Sequence, residues 1–490
     1  MPSAARQRGR IRAEEFFGFF ANGQRLLNML TQDKTQEIFA RVQRFSAADE
    51  VEVFIAGGRS ALTRFANNAI TQNVEEEDYF LSVRSVLGGR TARATTNKWD
   101  DESLRRAVAA SEALARVQTP DPELLPAPGP EAFRPEDGPP VARAFVETAA
   151  LDAAQRARHV SGMVEMAKRH KLTAAGIFAN SEAMEAVLNS RGLSTFYTQT
   201  SAEASVTMLA ADSSGWQKAN SPDVRQVAAR QLAETAAQKA LDSAHPRELP
   251  AGRYTVILEP AAVLDLVGFM FWDWGGLAIL DQRSFLNDRI GTKLFGDNIT
   301  IYDDAYHPLQ SGATFDGEGV RRQRVHLVEN GVIKNLVYAR ATAEKMKRSE
   351  YAGRVGAIGA TGHGFLLPNE SGEAPVNVVF QVPGGEVTSL EQMVASTERG
   401  ILVTRLWYIR EVDPYQKRLT GMTRDGTFLV ENGRIQGGLR NFRFNQSLID
   451  MLAGVERMGA PVRASGEEAF DMVVPAMKVR NFNFTEVTRF

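Results

Sequence analysis

Glu259-Pro-Ala-Ala-Val-Leu-Asp-Leu-Val-Gly-Phe-Met-Phe-Trp-Asp-Trp-Gly-Gly276 is the stretch around which the fold of this chain is organised. It follows an alternating, β-branched run at 253–259, which predicts a strand. Pro260 stands where the first turn of a helix tolerates proline. The stretch therefore predicts a strand followed by a helix that carries mostly apolar side chains.

The segment 261–280 is long enough to cross a membrane. However, Asp265 and Asp273 lie inside it, and a charged side chain is costly in lipid. The sequence therefore predicts a buried or interfacial core helix and no membrane partner. Its tryptophans, among them Trp272, are predicted to pack in the core or against a partner protein.

Composition places the chain among ordinary globular proteins with room for two domains. It has 490 residues, of which 43% are hydrophobic and 24% are charged. The net charge of -2 gives no field that would attract nucleic acid, so no nucleic-acid partner is predicted. The absence of cysteine excludes disulfides, iron–sulfur clusters, thiolate zinc sites and cysteine nucleophiles, and it fits a cytoplasmic protein.

Residues 1–34 are predicted to be a leader without fixed structure. Four arginines at alternate positions from Arg6 to Arg12 precede the apolar run 16–20, as in a signal peptide. Glu14 and Glu15 interrupt that pattern and the apolar run is very short, so we expect a cytoplasmic protein.

An N-terminal α/β domain with an antiparallel sheet is predicted over residues 35–250. The expected helices are 35–45, 101–116, 152–170 and 222–244, and the expected strands are 50–55, 60–74, 79–86, 90–95, 174–179, 184–190, 192–199 and 202–211. Turns are predicted at Gly57-Gly58, at Gly88-Gly89 and between 179 and 184, with a bend at Asn67-Asn68. Eight prolines make 119–141 an extended strap.

A β-rich C-terminal domain, antiparallel and similar to a barrel or sandwich, is predicted over residues 251–490. The Asn-Gly pairs at Asn330-Gly331 and Asn432-Gly433 each separate two alternating runs, which is the strongest short signal for a hairpin. A short helix at 390–399 and a strand at 401–407 are also predicted. The chain as a whole is therefore assigned to the α+β class.

Metal ligands were sought among the six histidines, since a catalytic zinc usually has three protein ligands. No histidines have the His-x-x-x-His spacing. One mixed cluster combines carboxylates and imidazoles: Asp303, Asp304, His307, Asp316, Glu318 and His326. It is interpreted as a polar loop before a hairpin, and a metal site here is kept as an alternative.

Several stretches together resemble the TldD/PmbA (TldD/TldE) family. The matching stretches are 63–70, Ser284-Phe285, 315–320, 328–331, Thr361-Gly-His-Gly364 and 420–433. They span most of the chain from about residue 35, in the order found in the family.

This resemblance implies an N-terminal α/β domain, a β-rich C-terminal domain and a cytosolic heterodimeric metallopeptidase that trims unfolded or modified peptides. In that family the TldD-type subunit bears His-Glu-x-x-x-His on the central helix and a later cysteine ligand, whereas the PmbA/TldE-type subunit lacks them. Here the helix after Glu259 has no histidine and the chain has no cysteine. The resemblance therefore implies the PmbA/TldE-like subunit, with no metal of its own and with zinc in a TldD-like partner.

No catalytic or metal-binding residue is assigned to the chain. The positions of the family's metal helix are taken by residues without ligand character, namely Asp265, Leu266 and Met270. Loop residues and one segment before the second Asn-Gly hairpin are candidates for lining a peptide cavity, with turn chemistry as the other interpretation: Asp316, Glu318, Gly319, Thr420, Gly421, Thr423 and Arg424.

Three functions remain open at this point. The first is the metal-free subunit of a heterodimeric peptidase, which would act on unfolded peptides with its TldD-like partner. The second is a homodimeric peptide-binding protein without chemistry. The third is a hydrolase with a metal in the Asp303–His326 cluster.

Overall fold

A computed structural model describes residues 29–139 and 141–488. Three sheets and ten α-helices organise these residues. One sheet lies within residues 50–221, and the other two are formed between residues 252 and 487. The predicted α+β class, with antiparallel sheets and a strand-rich C-terminal half, is confirmed.

The first sheet has the order β3-β2-β1-β4-β5-β6, and every neighbouring pair is antiparallel. Its strands are β1 (Glu50–Ala66), β2 (Ala69–Leu87), β3 (Arg90–Thr96), β4 (Thr173–Asn189), β5 (Tyr197–Leu209) and β6 (Ser214–Ser221). Alternation along β1 buries Val51, Val53 and Ile55 on one face. That face belongs to a core that also contains side chains of two helices.

Five helices accompany this sheet: α1 (Gln32–Phe45), α2 (Asp101–Val117), α3 (Val146–Ala149), α4 (Ala153–Arg169) and α5 (Ala229–Asp242). The predicted stripes on α1 and α2 are buried, as Ile38, Val42, Leu104 and Val108 show. The predicted helix 222–244 is too long, because α5 begins only at Ala229. A separate 3-10 turn at Val224–Gln226 precedes it, and the Asp223 side chain caps that turn.

Two predicted turns are wrong, because β1 and β4 run on as 17-residue strands. Gly57 and Gly58 lie inside β1 and allow close approach of the neighbouring strands. A Cβ on Gly57 would lie 2.2 Å from the carbonyl oxygen of Asp78. The reversal is instead at Asn67-Asn68, where both residues have positive φ (51° and 62°), as a two-residue hairpin turn requires. The hairpin at Gly88-Gly89 is confirmed.

The proline-rich strap contains short 3-10 turns at Pro130–Ala132 and Pro135–Asp137 and no longer helix or strand among its described residues. It contacts both halves of the chain. The ring of Phe133 meets Phe315 edge-on at 5.3 Å, and the carbonyl of Pro128 accepts a hydrogen bond from the Asn189 side chain.

Two further sheets pack on one large core in the C-terminal half. One has the order β10-β9-β8-β11-β18-β17; the other has β12-β7-β19-β15-β13-β14, with β12 also paired to β13 and β16 paired to β19. Their strands are β7 (Gly252–Leu258), β8 (Thr300–Asp303), β9 (Val325–Glu329), β10 (Val332–Ile333), β11 (Val378–Gln381), β12 (Arg399–Asp413), β13 (Arg418–Glu431), β14 (Arg434–Gly438), β15 (Phe442–Ser447), β16 (Val455–Met458), β17 (Val462–Ala464), β18 (Met472–Val474) and β19 (Met477–Val487). Both Asn-Gly hairpins are confirmed, with positive φ at all four residues.

The helix predicted after Glu259 is broken into three parts, so the single helix is wrong. They are α6 (Pro260–Val267), a 3-10 segment at Gly268–Asp273 and α7 (Gly276–Leu280). The other helices of this half are α8 (Arg340–Lys347), α9 (Leu390–Ala395) and α10 (Leu448–Ala453), and a 3-10 turn lies at Pro383–Gly385. Within residues 29–139 and 141–488, no helix is both long and apolar enough to cross a membrane.

Candidate functional site

Asp265 is the one acidic residue of α6, and it is fully buried. Its Oδ1 accepts hydrogen bonds from the backbone N–H groups of Glu467 and Glu468, both at 3.1 Å. Its Oδ2 has no hydrogen-bond partner in the described part of the chain. Burial raises the pKa of Asp265 to about 7, against the effect of these two N–H donors.

The segment 465–469 lies directly over α6. A Cβ on Gly466 would stand 2.1 Å from Asp265 Oδ1, and a Cβ on Gly268 would stand 2.3 Å from the Cβ of Ala469. Leu266 and Met270 point into the core and are fully buried. The outward side of α6 is thus covered by this segment, which we call the covering loop.

The residues at this position do not fit a zinc ion. Zinc in proteins takes three or four nitrogen, sulfur or carboxylate ligands. The helix offers one carboxylate, which already accepts two hydrogen bonds from the covering loop. Among the described residues, no three histidine, cysteine or acidic side chains are grouped closely enough to hold a metal.

Asp273, the second aspartate of the central stretch, belongs to an ion-pair group. Lys417 Nζ lies 2.6 Å from Asp273 Oδ2 and 2.8 Å from Glu411 Oε1. It also donates to the carbonyl oxygen of Phe269. Burial raises the pKa of Asp273, and Lys417 opposes that shift. The group ties the 3-10 segment to the turn between β12 and β13.

Asp316, Glu318 and Gly319 form one tight turn. Asp316 accepts hydrogen bonds from the N–H groups of Glu318, Val320 and Gly364 at 2.7–3.0 Å. Burial raises the pKa of Asp316 to about 7 and also raises that of Glu318, where Arg340 acts in the opposite direction. Gly319 has a φ of 77°. Both carboxylates are buried. Asp316 holds the turn, whereas Glu318 accepts a hydrogen bond from the backbone N–H of Arg340. Their part in substrate binding stays a prediction.

Asp316→Ala is expected to destabilise the protein by about 2–3 kcal/mol, because three buried N–H groups lose their acceptor. The measurement is the free energy of unfolding in urea. Asp297→Ala is the control, since the Asp297 side chain is 85% exposed and forms a surface ion pair. Equal midpoints for both variants would contradict this account of the turn.

The other candidates lie on β13. Thr420 donates to the carbonyl of Phe444, Gly421 packs against the Phe444 ring, and buried Thr423 accepts from the N–H of Phe442. Arg424 alone is exposed, and its guanidinium stacks 4.4 Å from the ring of Trp407. No hydrogen bond or ion pair among the described residues joins this group to the Asp316 turn.

The proposed metal cluster between Asp303 and His326 is also dispersed. Asp303 is fully buried and is bound to His363 Nε2 at 2.9 Å, a partner outside the predicted cluster. Its Oδ2 accepts from the N–H of Asn377. His326 packs its ring 5.9 Å from that of Tyr302. Asp303 thus braces the segment around His363, and the hydrolase alternative has no assembled ligand set in the described chain.

A cavity of about 420 Å³ lies beside the central stretch, and the sequence analysis did not identify it. It is lined by Phe271, Trp272, Gln310, Ser311, Gly312, Ala313, Arg322, Ala374, Pro375, Val376, Asn377, Phe470 and Asp471. Trp272 is 54% exposed, so it is not a core residue. The sequence offers one indication that this aromatic side chain faces outward. Trp272 follows the apolar residues Met270 and Phe271 in a helical segment, and those two residues are buried.

Two family models match the chain. The model of the PmbA/TldA metallopeptidase C-terminal domain matches residues 251–486, and that of PmbA/TldA metallopeptidase domain 1 matches residues 51–115. Together they cover more than half of the chain.

Full-length relatives agree with these matches. Metalloprotease PmbA of Escherichia coli O157:H7 is 24% identical over 450 residues, which cover 88% of this chain and 91% of that protein. The metalloprotease PmbA homolog of Haemophilus influenzae is 25% identical over 463 residues, with 88% and 92% covered. TldE from Thermococcus kodakarensis has the same fold, with a TM-score of 0.79 at 20% identity over 92% of this chain and 99% of that one.

Proposed function

The chain belongs to the PmbA/TldD metallopeptidase family, and from that premise we propose that it is the metal-free subunit of a two-subunit peptidase. Its partner is a TldD-like subunit that supplies the zinc. The substrates are unfolded or modified peptides, which the two subunits trim together in the cytoplasm.

The observation that carries this proposal is the chemistry of α6. The helix has no histidine, and its single carboxylate is buried. The covering loop donates both hydrogen bonds that Asp265 Oδ1 accepts. Replacing one residue would not create a zinc site here, because at least three ligands are needed. The fold of a peptidase subunit is thus combined with a helix that lacks the ligands of a peptidase.

The cavity beside Trp272 supports a role in substrate binding. It adjoins the end of this same central stretch and combines aromatic walls with a few polar groups, as ligand sites usually do. Unfolded peptides expose the apolar side chains and backbone groups that such a cavity can bind. A subunit of this kind contributes to peptide binding while its partner contributes the metal.

The direct test is to purify this chain and a His-Glu-bearing TldD-like protein from the same source, and to assay a fluorogenic peptide. We expect no cleavage by this chain alone. In the mixture, the rate of cleavage should rise as the partner is added and level off at an equimolar ratio. Chelation of zinc should abolish that cleavage. An Ala-for-His variant of the partner's metal helix is the matched control.

Two outcomes would contradict the proposal. Cleavage by this chain alone would require a catalytic site within it. A stable homodimer that binds peptides but neither binds nor activates the partner would favour the homodimeric peptide-binding protein.

A further inference from the structure

The cavity beside Trp272 is lined by both apolar and polar residues. Trp272, Phe271 and Phe470 contribute aromatic surface, and Ala313 and Pro375 add smaller apolar walls. Trp272 also contacts the ring of Phe365, with 5.9 Å between the centroids, which restrains the indole at the cavity mouth. A large apolar side chain would find aromatic surface on more than one side.

Arg322 supplies a positive charge to the cavity lining. Its guanidinium forms no hydrogen bond or ion pair with the described residues, and its Nη1 is a buried donor without a partner. Its charge acts on the buried carboxyls of Asp316 and Glu185, where it opposes the rise in pKa that burial causes. The guanidinium itself is always charged.

The other charged groups near the cavity are already paired. Asp471 accepts from Arg463 Nη2 at 2.9 Å and from the Asn220 side chain at 2.6 Å. Arg463 also donates to Ser311 Oγ. The charged residues that line the cavity are Arg322 and Asp471. The Asp471 carboxylate is already paired, and Arg322 is the cation that can bind an anion there.

Two segments outside the helices and strands, 311–313 and 374–377, contribute residues to the cavity wall. The N–H groups of Ala313 and Val376 make no hydrogen bond with any described residue. Backbone donors of this kind can bind an extended peptide without selecting its sequence. Gly312 has a φ of 89° and no neighbouring atom within 4 Å of the place of a Cβ, so the wall is open there.

We propose that this cavity binds the C-terminal residue of a peptide, with its carboxylate on Arg322 and a large apolar side chain against Trp272 and Phe470. This inference rests on the proposed function and adds its substrate class: peptides with a free C-terminus that end in an aromatic or large aliphatic residue. Guanidinium–carboxylate pairing and aromatic contact are the two interactions that would recognise such an end.

The test is fluorescence anisotropy with the full chain alone and fluorescein-labelled peptides that differ only at their C-terminus. One ends in phenylalanine with a free carboxylate, the second is its carboxamide, and the third ends in glycine. We expect the carboxamide to bind about tenfold more weakly or worse, because it loses a charge-assisted pair. The peptide ending in glycine should also bind more weakly, because it leaves Trp272 without a contact.

Variants separate this site from general damage. Arg322→Gln should remove the preference for the carboxylate, and Arg322→Lys should keep part of it. Arg434→Gln, at an exposed arginine of β14, should leave it intact. Trp272→Ala should weaken binding of the peptide that ends in phenylalanine but not of the peptide that ends in glycine. Tyr408→Ala, at a tyrosine that is 55% exposed, should change the affinity for neither peptide.

Equal affinity for carboxylate and carboxamide, or a preference that survives Arg322→Gln, would overturn the inference. So would the absence of peptide binding by the isolated chain, because all residues of the cavity belong to it. Cleavage by the mixture with the TldD-like partner would still support the proposed function in that case. Peptide binding without any cleavage by the mixture would overturn the proposed function alone.

Discussion

Lys417→Met is expected to lower the free energy of unfolding by about 3–5 kcal/mol, because it leaves a buried carboxylate without its counter-charge. Lys417 is almost completely buried, and its Nζ lies 2.6 Å from Asp273 Oδ2. Methionine fills a similar volume, so the loss comes mainly from the charge and not from a cavity. Urea unfolding monitored by circular dichroism measures the effect.

The double variant Lys417→Met/Asp273→Asn is the matched control for this prediction. It removes both charges, and replacing a buried ion pair by neutral groups costs far less than breaking it. We expect it to recover most of the stability lost in the single variant. If the single and double variants were equally unstable, packing around Lys417 would matter more than the ion pair.

Asp265→Asn is expected to stabilise the protein by about 4 kcal/mol at pH 8, because burial raises the pKa by about 3 units and each unit corresponds to about 1.4 kcal/mol. In the folded chain that pKa is about 7, against an ordinary value of 3.8 for aspartate. Below pH 3.8 the carboxyl is protonated in both the folded and unfolded states. As the pH rises from 3.8 to about 7, the unfolded state loses its proton first, so the folded state loses relative stability.

This sign gives a pH profile that can be measured. The difference in unfolding free energy between Asp265→Asn and the unaltered chain should grow from near zero at pH 4 to its full value near pH 8. Asp288→Asn is the control, since Asp288 is 77% exposed, and its difference should stay flat. A flat profile for Asp265→Asn, or a loss of stability at pH 8, would contradict the account of a buried carboxyl under the covering loop.

Much of the fold could be predicted because local chemistry determines it. Asn330-Gly331 and Asn432-Gly433 adopt the positive φ values of two-residue hairpins, as the dipeptides indicate. Asp152 caps α4 with a capping box, so that helix begins where the sequence predicts. The apolar stripe of α2 gives its buried face directly.

The errors arise where tertiary contacts override local signals. Gly57-Gly58 is typical of a turn, but here it lets strands β2 and β4 approach β1 closely. The central stretch has the composition of one helix, yet it leaves α-helical geometry at Gly268, where Ala469 of the covering loop packs closely. No local pattern can indicate that contact, because Gly268 and Ala469 are 201 positions apart along the chain.

The candidate site was predicted only in part, for a similar reason. The resemblance directed attention to the stretch around Asp265, and the structure explains what that aspartate does in place of a ligand. Asp316 and Thr423 were selected as polar loop or strand residues, and both hold local structure. The cavity was missed because Trp272, Arg322 and Phe470 come from three distant segments, none of which has a motif.

In the function proposed above, the metal belongs to the TldD-like partner and not to this chain. The most direct test is the zinc content per protomer, measured by elemental analysis after dialysis without chelator. It is measured for this chain alone and for its purified complex with the TldD-like partner. We predict a value near zero for the chain alone and near one per heterodimer for the complex. A value near one for the chain alone would contradict the account, and Asp303, His307, Asp316 and His326 would then be the first residues to replace.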